Sequence, residues 1–106
     1  MKFGLDNITI QKIQDVFSLF PEVEKVIIYG SRAKGNYKAG SDIDLTFKGT
    51  NLNHSVMNQI ALMLDDLLLP YLFDLSVYSH IKDEGLLDHI ERIGIEFYSK
   101  KKLKIV

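Results

Sequence analysis

The residues with the clearest chemical potential follow a short apolar run in the first third of the chain. Val26–Tyr29 is β-branched and aromatic and ends at Gly30, which predicts a strand followed by a tight turn. Ser31 adds a hydroxyl and a backbone N–H, and a helical turn beginning here would direct free N–H groups at a phosphate. Arg32 adds a planar fork for two oxygens and Lys34 adds a point charge. The pattern predicts a phosphate site.

Two aspartates open the next apolar run. Asp42 and Asp44 lie in Ser41–Phe47, where polar and apolar residues alternate as in a half-buried strand. Residues two apart on a strand share a face, so the carboxylates lie about 7 Å apart at their bases. An isolated Asp-x-Asp pair is usually a solvated strand face, but like charges on one face destabilise a sheet without a counter-ion. With the phosphate pattern so close, we expect both aspartates to bind Mg²⁺ beside a nucleoside triphosphate.

A third acid lies inside another apolar run, Leu72–Tyr78. In a strand Asp74 shares a face with Leu72 and Ser76. Unpaired burial of a carboxylate is costly, so this aspartate needs a metal or a partner, unless it faces water from an edge strand. We expect Asp74 to join the acidic pair and to accept a proton from, or orient, an attacking hydroxyl.

The motif Gly-Ser-Arg-Ala-Lys-Gly, followed after five residues by Ser-Asp-Ile-Asp-Leu, resembles the signature of the nucleotidyltransferase superfamily of the DNA polymerase β type. It is most similar to the smallest members, the minimal nucleotidyltransferase (MNT) domains, over nearly the whole chain. The resemblance implies that Gly30 and Ser31 bind the triphosphate, that Asp42 and Asp44 bind metal, and that Asp74 is the third acid. The expected nucleotide-binding residues are Gly30, Ser31, Arg32, Lys34 and Ser41, and the expected catalytic and metal-binding residues are Asp42, Asp44 and Asp74.

The same resemblance implies a reaction and a partner. Members transfer a nucleoside monophosphate to a hydroxyl and release pyrophosphate, with Mg²⁺, here expected as two ions. Many MNT proteins look like antitoxins that pair with a helical HEPN protein, an RNA-cleaving toxin, and add AMP to one of its tyrosines. We therefore expect a protein adenylyltransferase that uses ATP or another triphosphate and has a HEPN-type partner.

The alternative is a non-catalytic module that blocks a helical partner by contact alone. Transfer to a small molecule or an RNA end is a third possibility, against which the lack of room for an acceptor domain counts.

Length and composition narrow these options. The chain has 106 residues, which predicts one domain over residues 1–106. The formal net charge of −1 argues against a general nucleic-acid binder, and the basic tail from Lys100 to Lys104 is explained more simply as a solvated terminus. The absence of cysteine excludes disulfides and thiolate metal sites. Neither a signal peptide nor a membrane-length apolar run is found, so we expect a cytoplasmic location.

Hydrophobic periodicity places the motifs on an α/β (α+β) fold. The predicted elements are a helix from an N-cap at Thr9 to about Phe20, strands at 23–29, 41–47 and 72–77, a helix from Asn53 to about Leu69, and a helix from Asp83 to about Gly94, before a short extended piece at 95–98. This order, α-β-β-α-β-α, predicts a small mixed sheet with helices packed mainly on one face. The second long helix is apolar well beyond one stripe, so core and interface stay equal alternatives for its surplus.

Overall fold

The structure, a computed structural model, describes residues 1–100. Its elements in chain order are α1 (Asn7–Ser18), β1 (Val23–Tyr29), α2 (Gly30–Lys34), β2 (Ile43–Gly49), α3 (His54–Asp66), β3 (Phe73–Val77), α4 (Glu84–Ile93) and β4 (Ile95–Ser99), with a short 3-10 helix, Tyr78–His80, after β3. The lysines of the basic tail beyond position 100 lie outside the described residues. A solvated tail and a single domain over residues 1–106 therefore stay predictions.

The four strands form one mixed sheet in the order β3-β2-β1-β4. β1 runs antiparallel to β2 and β4, whereas β2 and β3 run parallel and are joined by α3, the kind of crossover that a parallel pair requires. The predicted α/β class and mixed sheet are confirmed. The extended piece predicted at 95–98 is the edge strand β4, and β2 begins at Ile43, so that Asp42 lies just ahead of it.

One face of the sheet carries the hydrophobic core. Val26 and Ile28 of β1 and Leu45 and Phe47 of β2 are completely buried in the same cluster as the apolar stripes of α1 and α3. Phe17 of α1 meets Phe47 edge to face, with 5.1 Å between ring centroids. The two longest helices thus lie on one face, as predicted.

The other face is only partly covered, by α4. Ile27 and Tyr29 alternate with the core residues of β1 and point away from the core. A side chain added at Gly94, the C-cap of α4, would meet Ile27, and His89 of α4 packs against the ring of Tyr29. This half-open face is the one that carries the predicted acids. None of the helices within residues 1–100 combines the length and the apolar character needed to cross a bilayer.

Two predicted helix boundaries are wrong, for local reasons. The N-cap of α1 is Asp6, whose carboxylate accepts a hydrogen bond from the Thr9 backbone N–H at 2.7 Å, so Thr9 lies inside the helix. α3 ends at Asp66 rather than near Leu69, because Leu67 is its C-cap and Leu68 adopts a left-handed φ of 54°. By contrast, α4 agrees with the helix predicted from Asp83 to about Gly94, with Asp83 as its N-cap and Gly94 as its C-cap.

Replacing Asp6 by Ala should lower the Tm of the protein by a few degrees, because a backbone donor of α1 loses its acceptor. The hydrogen bond from Thr9 lowers the pKa of Asp6, so this stabilisation exists above the ordinary aspartate pKa and is lost as the pH falls through the lowered value. Thermal unfolding followed by circular dichroism at neutral and acidic pH measures both effects. Thr9→Ala is the control, and a larger loss in that variant would contradict the assignment of the cap.

Candidate active site

Three polar side chains, two of them predicted catalytic acids, lie in one row across the sheet. Tyr29 of β1 is paired with Asp44 of β2, and Asp44 is paired with Asp74 of β3. Directly paired residues on neighbouring strands point to the same face, with backbones about 5 Å apart. The strand register therefore brings two of the predicted catalytic acids together on the face opposite the core.

The three acids differ in their surroundings. Asp42 is exposed just before β2, Asp44 is half-buried in an inner strand, and Asp74 is exposed on the edge strand β3. Burial raises the pKa of Asp44, and the negative charges of Asp74 and Asp42 raise it further, while His89 acts in the opposite direction. The acids thus repel one another, and a cation between them would relieve the repulsion.

Gly30 brings the turn after β1 directly against Asp44. Its φ is 72°, in the left-handed region, and a Cβ at this position would collide with the Asp44 oxygen Oδ2. Ser31 follows in the first turn of α2 and is half-buried. The two residues expected to bind the triphosphate are therefore placed next to an expected metal ligand.

His89 belongs to this site although sequence analysis does not single it out. Its Nε2 accepts a hydrogen bond from the Gly30 backbone N–H at 3.1 Å. Its ring packs edge-on against Tyr29 with 6.0 Å between centroids. Burial raises the pKa of Tyr29, the Ser76 side chain acts in the opposite direction, and the charges of Asp74 and Asp44 raise it further, so the net shift is upward and the phenol stays protonated. The sequence signal for Tyr29 is its place immediately before Gly30. The contact of His89 spans 59 residues, and no local spacing signals it.

The remaining predicted nucleotide-binding residues, Arg32, Ser41 and Lys34, differ in burial and in their contacts. Arg32 is buried, with 2% of its surface exposed, and donates to the Ser41 carbonyl oxygen. The Ser41 hydroxyl accepts from the Lys38 backbone N–H at 2.8 Å, which closes the loop before Asp42. Lys34 ends α2 and is exposed. Arg32 and Ser41 thus hold the loop, and contacts of all three residues with a nucleotide stay predictions.

Metal binding has to be judged from the donor atoms. Within residues 1–100, no group of three or more acidic, histidine or cysteine side chains is arranged to hold a metal ion. The donors nevertheless suit Mg²⁺, which takes one or two carboxylates together with the phosphates of a substrate. The repulsion that raises the pKa of Asp44 is a second observation that fits a cation here. Mg²⁺ binding by Asp42, Asp44 and Asp74 stays a prediction.

The acids lie away from the large cavity of the described part of the chain. That cavity, of about 830 Å³, lies between α1 and β4 and is lined by residues such as Gln11, Gln14 and Phe97. It includes none of the predicted site residues. A ligand at the acids would therefore bind on the open sheet face beside α4.

Comparison with family models decides the family. A model described as "Polymerase beta, Nucleotidyltransferase" matches residues 11–103, which include the Gly-Ser turn and all three acids. The chain belongs to this family. The resemblance stated from the motif is thereby confirmed, whereas no curated protein matches the sequence of this nucleotidyltransferase.

Solved structures show the same fold. A toxin–antitoxin structure with AMP-PNP is 19% identical, with a TM-score of 0.68 over 92% of this chain and 76% of that chain. A tri-AMPylated HEPN toxin in complex with its MNT antitoxin, from Shewanella oneidensis, gives 16% identity and a TM-score of 0.66 over 91% and 74%. A candidate nucleotidyltransferase from Sulfolobus solfataricus is 25% identical, with a TM-score of 0.55 over 93% and 84%. This nucleotidyltransferase therefore shares its fold with components of MNT–HEPN complexes.

Replacing Asp44 by Asn should raise the Tm of the metal-free nucleotidyltransferase at neutral pH by a few degrees. The substitution removes the charge that Asp42 and Asp74 repel. Because the pKa of Asp44 is raised in the folded protein, its ionised form costs stability once the pH rises through that pKa, so the gain should vanish under acidic conditions. Thermal unfolding in EDTA at several pH values measures this. Glu24→Gln, at an exposed acid elsewhere on the sheet, is the control, and an unchanged or lower Tm of the Asp44 variant would refute the argument.

Replacing His89 by Leu should lower the free energy of unfolding by about 1–2 kcal/mol, because the Gly30 N–H loses its acceptor. Gln supplies an acceptor at a similar distance from the backbone, so His89→Gln should recover most of the loss. Urea denaturation measures both variants, and His80→Leu, at an exposed histidine after β3, should change stability by less than about 0.5 kcal/mol. Equal losses in the Leu and Gln variants would argue that only packing matters at His89.

Proposed function

We propose that this nucleotidyltransferase transfers a nucleoside monophosphate, AMP from ATP, onto a hydroxyl of a partner protein. The observation that carries the proposal is the pairing of Asp44 with Asp74 beneath the Gly30 turn. Acids on adjacent strands next to a glycine turn suit a metal-bound triphosphate better than any role in stability, since together they destabilise the sheet. Asp42, two residues before Asp44, completes the set.

Two Mg²⁺ ions held by Asp42, Asp44 and Asp74 would supply positive charge to the phosphates and to the leaving pyrophosphate. The chain itself contributes the positions of the reactants. Gly30 and Ser31 bind the triphosphate through the turn, and the exposed charge of Lys34 attracts it. The Tyr29 phenol, kept protonated by its surroundings, is a hydrogen-bond donor beside the acids.

The reaction is a single displacement at the α-phosphorus. The acceptor hydroxyl oxygen forms a bond to the α-phosphorus, the bond from that phosphorus to the oxygen bridging the β-phosphate breaks, and pyrophosphate leaves with the electron pair. The proton of the hydroxyl passes to Asp74 and from there to water. Asp74 suits this role because it is exposed on the edge strand, where a protein acceptor has access.

A helical HEPN-type protein is the partner that we propose. The structures similar to this fold include MNT antitoxins with HEPN toxins. The apolar surplus predicted for α3 is partly solvent-exposed: Leu62 and Leu68 are 64% and 89% exposed, and Leu72, before β3, is 75% exposed. These leucines are suited to contact another protein. A cytoplasmic location stays a prediction.

The same leucines favour a second candidate function, that of a module that blocks its partner by contact without catalysis. In that case the exposed leucines matter and the acids do not. Loss of the acids would then leave the neutralisation of the partner intact.

Label transfer tests the proposal. The purified protein with Mg²⁺ receives ATP labelled at the α-phosphate, together with its co-purifying partner. Asp42→Asn and Asp44→Asn should each lower the transfer rate by about a hundredfold or more, because they remove ligands of ions worth several kcal/mol in the transition state. The Glu24→Gln variant should transfer label at the wild-type rate.

The outcome separates the two candidates. Label on the partner that depends on the acids supports transfer. Label that persists at the wild-type rate in the Asp42 and Asp44 variants would end this mechanism. A stable complex without label from any of the four nucleotides, in which the acid variants still neutralise the partner, would favour the contact module.

A further inference from the structure

Arg32 is a buried cation without a carboxylate partner among residues 1–100. It is 2% exposed and takes part in neither of the ion pairs found there, Lys25–Glu96 and Arg92–Asp88. Burying a charge is costly unless hydrogen bonds and dipoles surround it closely. The groups that surround this guanidinium therefore indicate what it does.

Backbone carbonyl oxygens from two separate segments accept hydrogen bonds from the N–H groups of the Arg32 guanidinium. Nε and Nη2 both donate to the Ser41 carbonyl, at 3.1 and 2.9 Å, and Nη2 also reaches the Ala39 carbonyl at 3.4 Å. Nη1 donates to the Phe3 carbonyl at 2.9 Å. A planar fork with donors on several edges can make all of these contacts, whereas a lysine ammonium cannot.

Aromatic rings hold the guanidinium from two further positions. Its central carbon lies 4.8 Å from the ring centroid of Tyr71 and 5.4 Å from that of Tyr37, both within cation–π range. Tyr71 lies three residues before Asp74. Arg32 thus contacts the segments leading to both acid strands, while it follows directly after Ser31.

The N-terminal turn is shaped to present its carbonyl to Arg32. Lys2 and Leu5 exchange two backbone hydrogen bonds, of 3.0 and 2.8 Å, around Phe3 and Gly4, whose φ values are 58° and 72°. A positive φ is unfavourable for phenylalanine and persists only where surrounding contacts enforce it. A Cβ on Gly4 would lie 2.8 Å from Nη1 of Arg32.

We propose that Arg32 is a positioning residue that fixes Asp42 relative to the Gly30–Ser31 turn and does not contact the nucleotide. Its two bonds to the carbonyl immediately before Asp42 tie that acid to α2, which begins at Gly30. This assignment replaces the phosphate contact expected from the sequence. It rests on the proposed function only in taking Asp42 as a metal ligand.

Amide exchange tests the positioning role without any activity assay. The Ser41 N–H donates to the Lys38 carbonyl and the Lys38 N–H to the Ser41 hydroxyl, so both amides report on the loop. In the Arg32→Lys variant these two amides should exchange about tenfold faster by NMR, while those of the sheet core stay protected. The matched control is Arg92→Lys, the same change at the other arginine of the chain, which is exposed on α4.

Gly4→Ala perturbs the surroundings of the Arg32 guanidinium from a residue outside the site. The added methyl group presses on Arg32 and Tyr37, so exchange of the Lys38 and Ser41 amides should again rise. This variant keeps the proposal testable should Arg32→Lys fail to fold. Unchanged exchange in a folded Arg32→Lys or Gly4→Ala protein would overturn the positioning role.

Binding measurements separate positioning from phosphate contact. With a non-hydrolysable ATP analogue present, Mn²⁺ measured by electron paramagnetic resonance should bind about tenfold more weakly to Arg32→Lys, because Asp42 is displaced. Affinity for the analogue in EDTA should change by less than about twofold. A metal-independent loss of affinity for the analogue but not for adenosine would instead show a phosphate contact and overturn the proposal. Should the wild type bind neither Mn²⁺ nor nucleotide, the proposed function fails, while amide exchange still decides the role of Arg32.

Discussion

Mutual repulsion among carboxylates held on one sheet face is the constraint around which this structure is organised. Asp44 and Asp74 cannot separate, because the parallel pairing of β2 and β3 fixes them side by side, and Asp42 lies two residues away. Burial raises the pKa of Asp44, and the negative charges of Asp74 and Asp42 raise it further, so this arrangement has a cost. A fold can bear that cost only if other interactions hold the strands in register. They lie on the opposite face, where α1 and α3 bury the apolar side of the same strands.

The division of labour between the two faces follows from the strand period of two. On β2, Leu45 and Phe47 are completely buried in the core. Asp44, which lies between Ile43 and Leu45, faces the site on the other side of the sheet. A one-residue slip of β2 would bury the acid and expose the core residues, so the core enforces the position of the site. The energy that holds the acids together is therefore hydrophobic and acts from the far side of the sheet.

Local signals in the sequence are sufficient for most of the fold, whereas the roles of the acidic residues stay predictions. Alternation predicts the strands, and apolar periodicity with Gly94 as C-cap predicts α4, because these features depend on neighbours in the chain. The early end of α3 depends on the left-handed conformation of Leu68, a residue type that does not signal it. Similarly, His89 contacts Gly30 across 59 residues, and the burial of Arg32 depends on three carbonyl groups from two separate segments of the chain. Such contacts exist only after folding, and no local signal indicates them. The sequence alone therefore favours phosphate binding for Arg32, which lies beside the predicted phosphate motif.

His89 and Arg32 hold the backbone of the site from two different helices without belonging to the row of acids. His89 holds the backbone of Gly30 from α4, and Arg32 holds the backbone before Asp42 from α2. The backbone of the Gly30 turn and the backbone before Asp42 are thus each held by a side chain, the first by His89 and the second by Arg32. Tyr71, stacked on Arg32, belongs to the same segment as the exposed Leu68 and Leu72. A protein bound to those leucines therefore contacts the segment that supports Arg32, so partner contact and the geometry of the acids share a physical element in this fold.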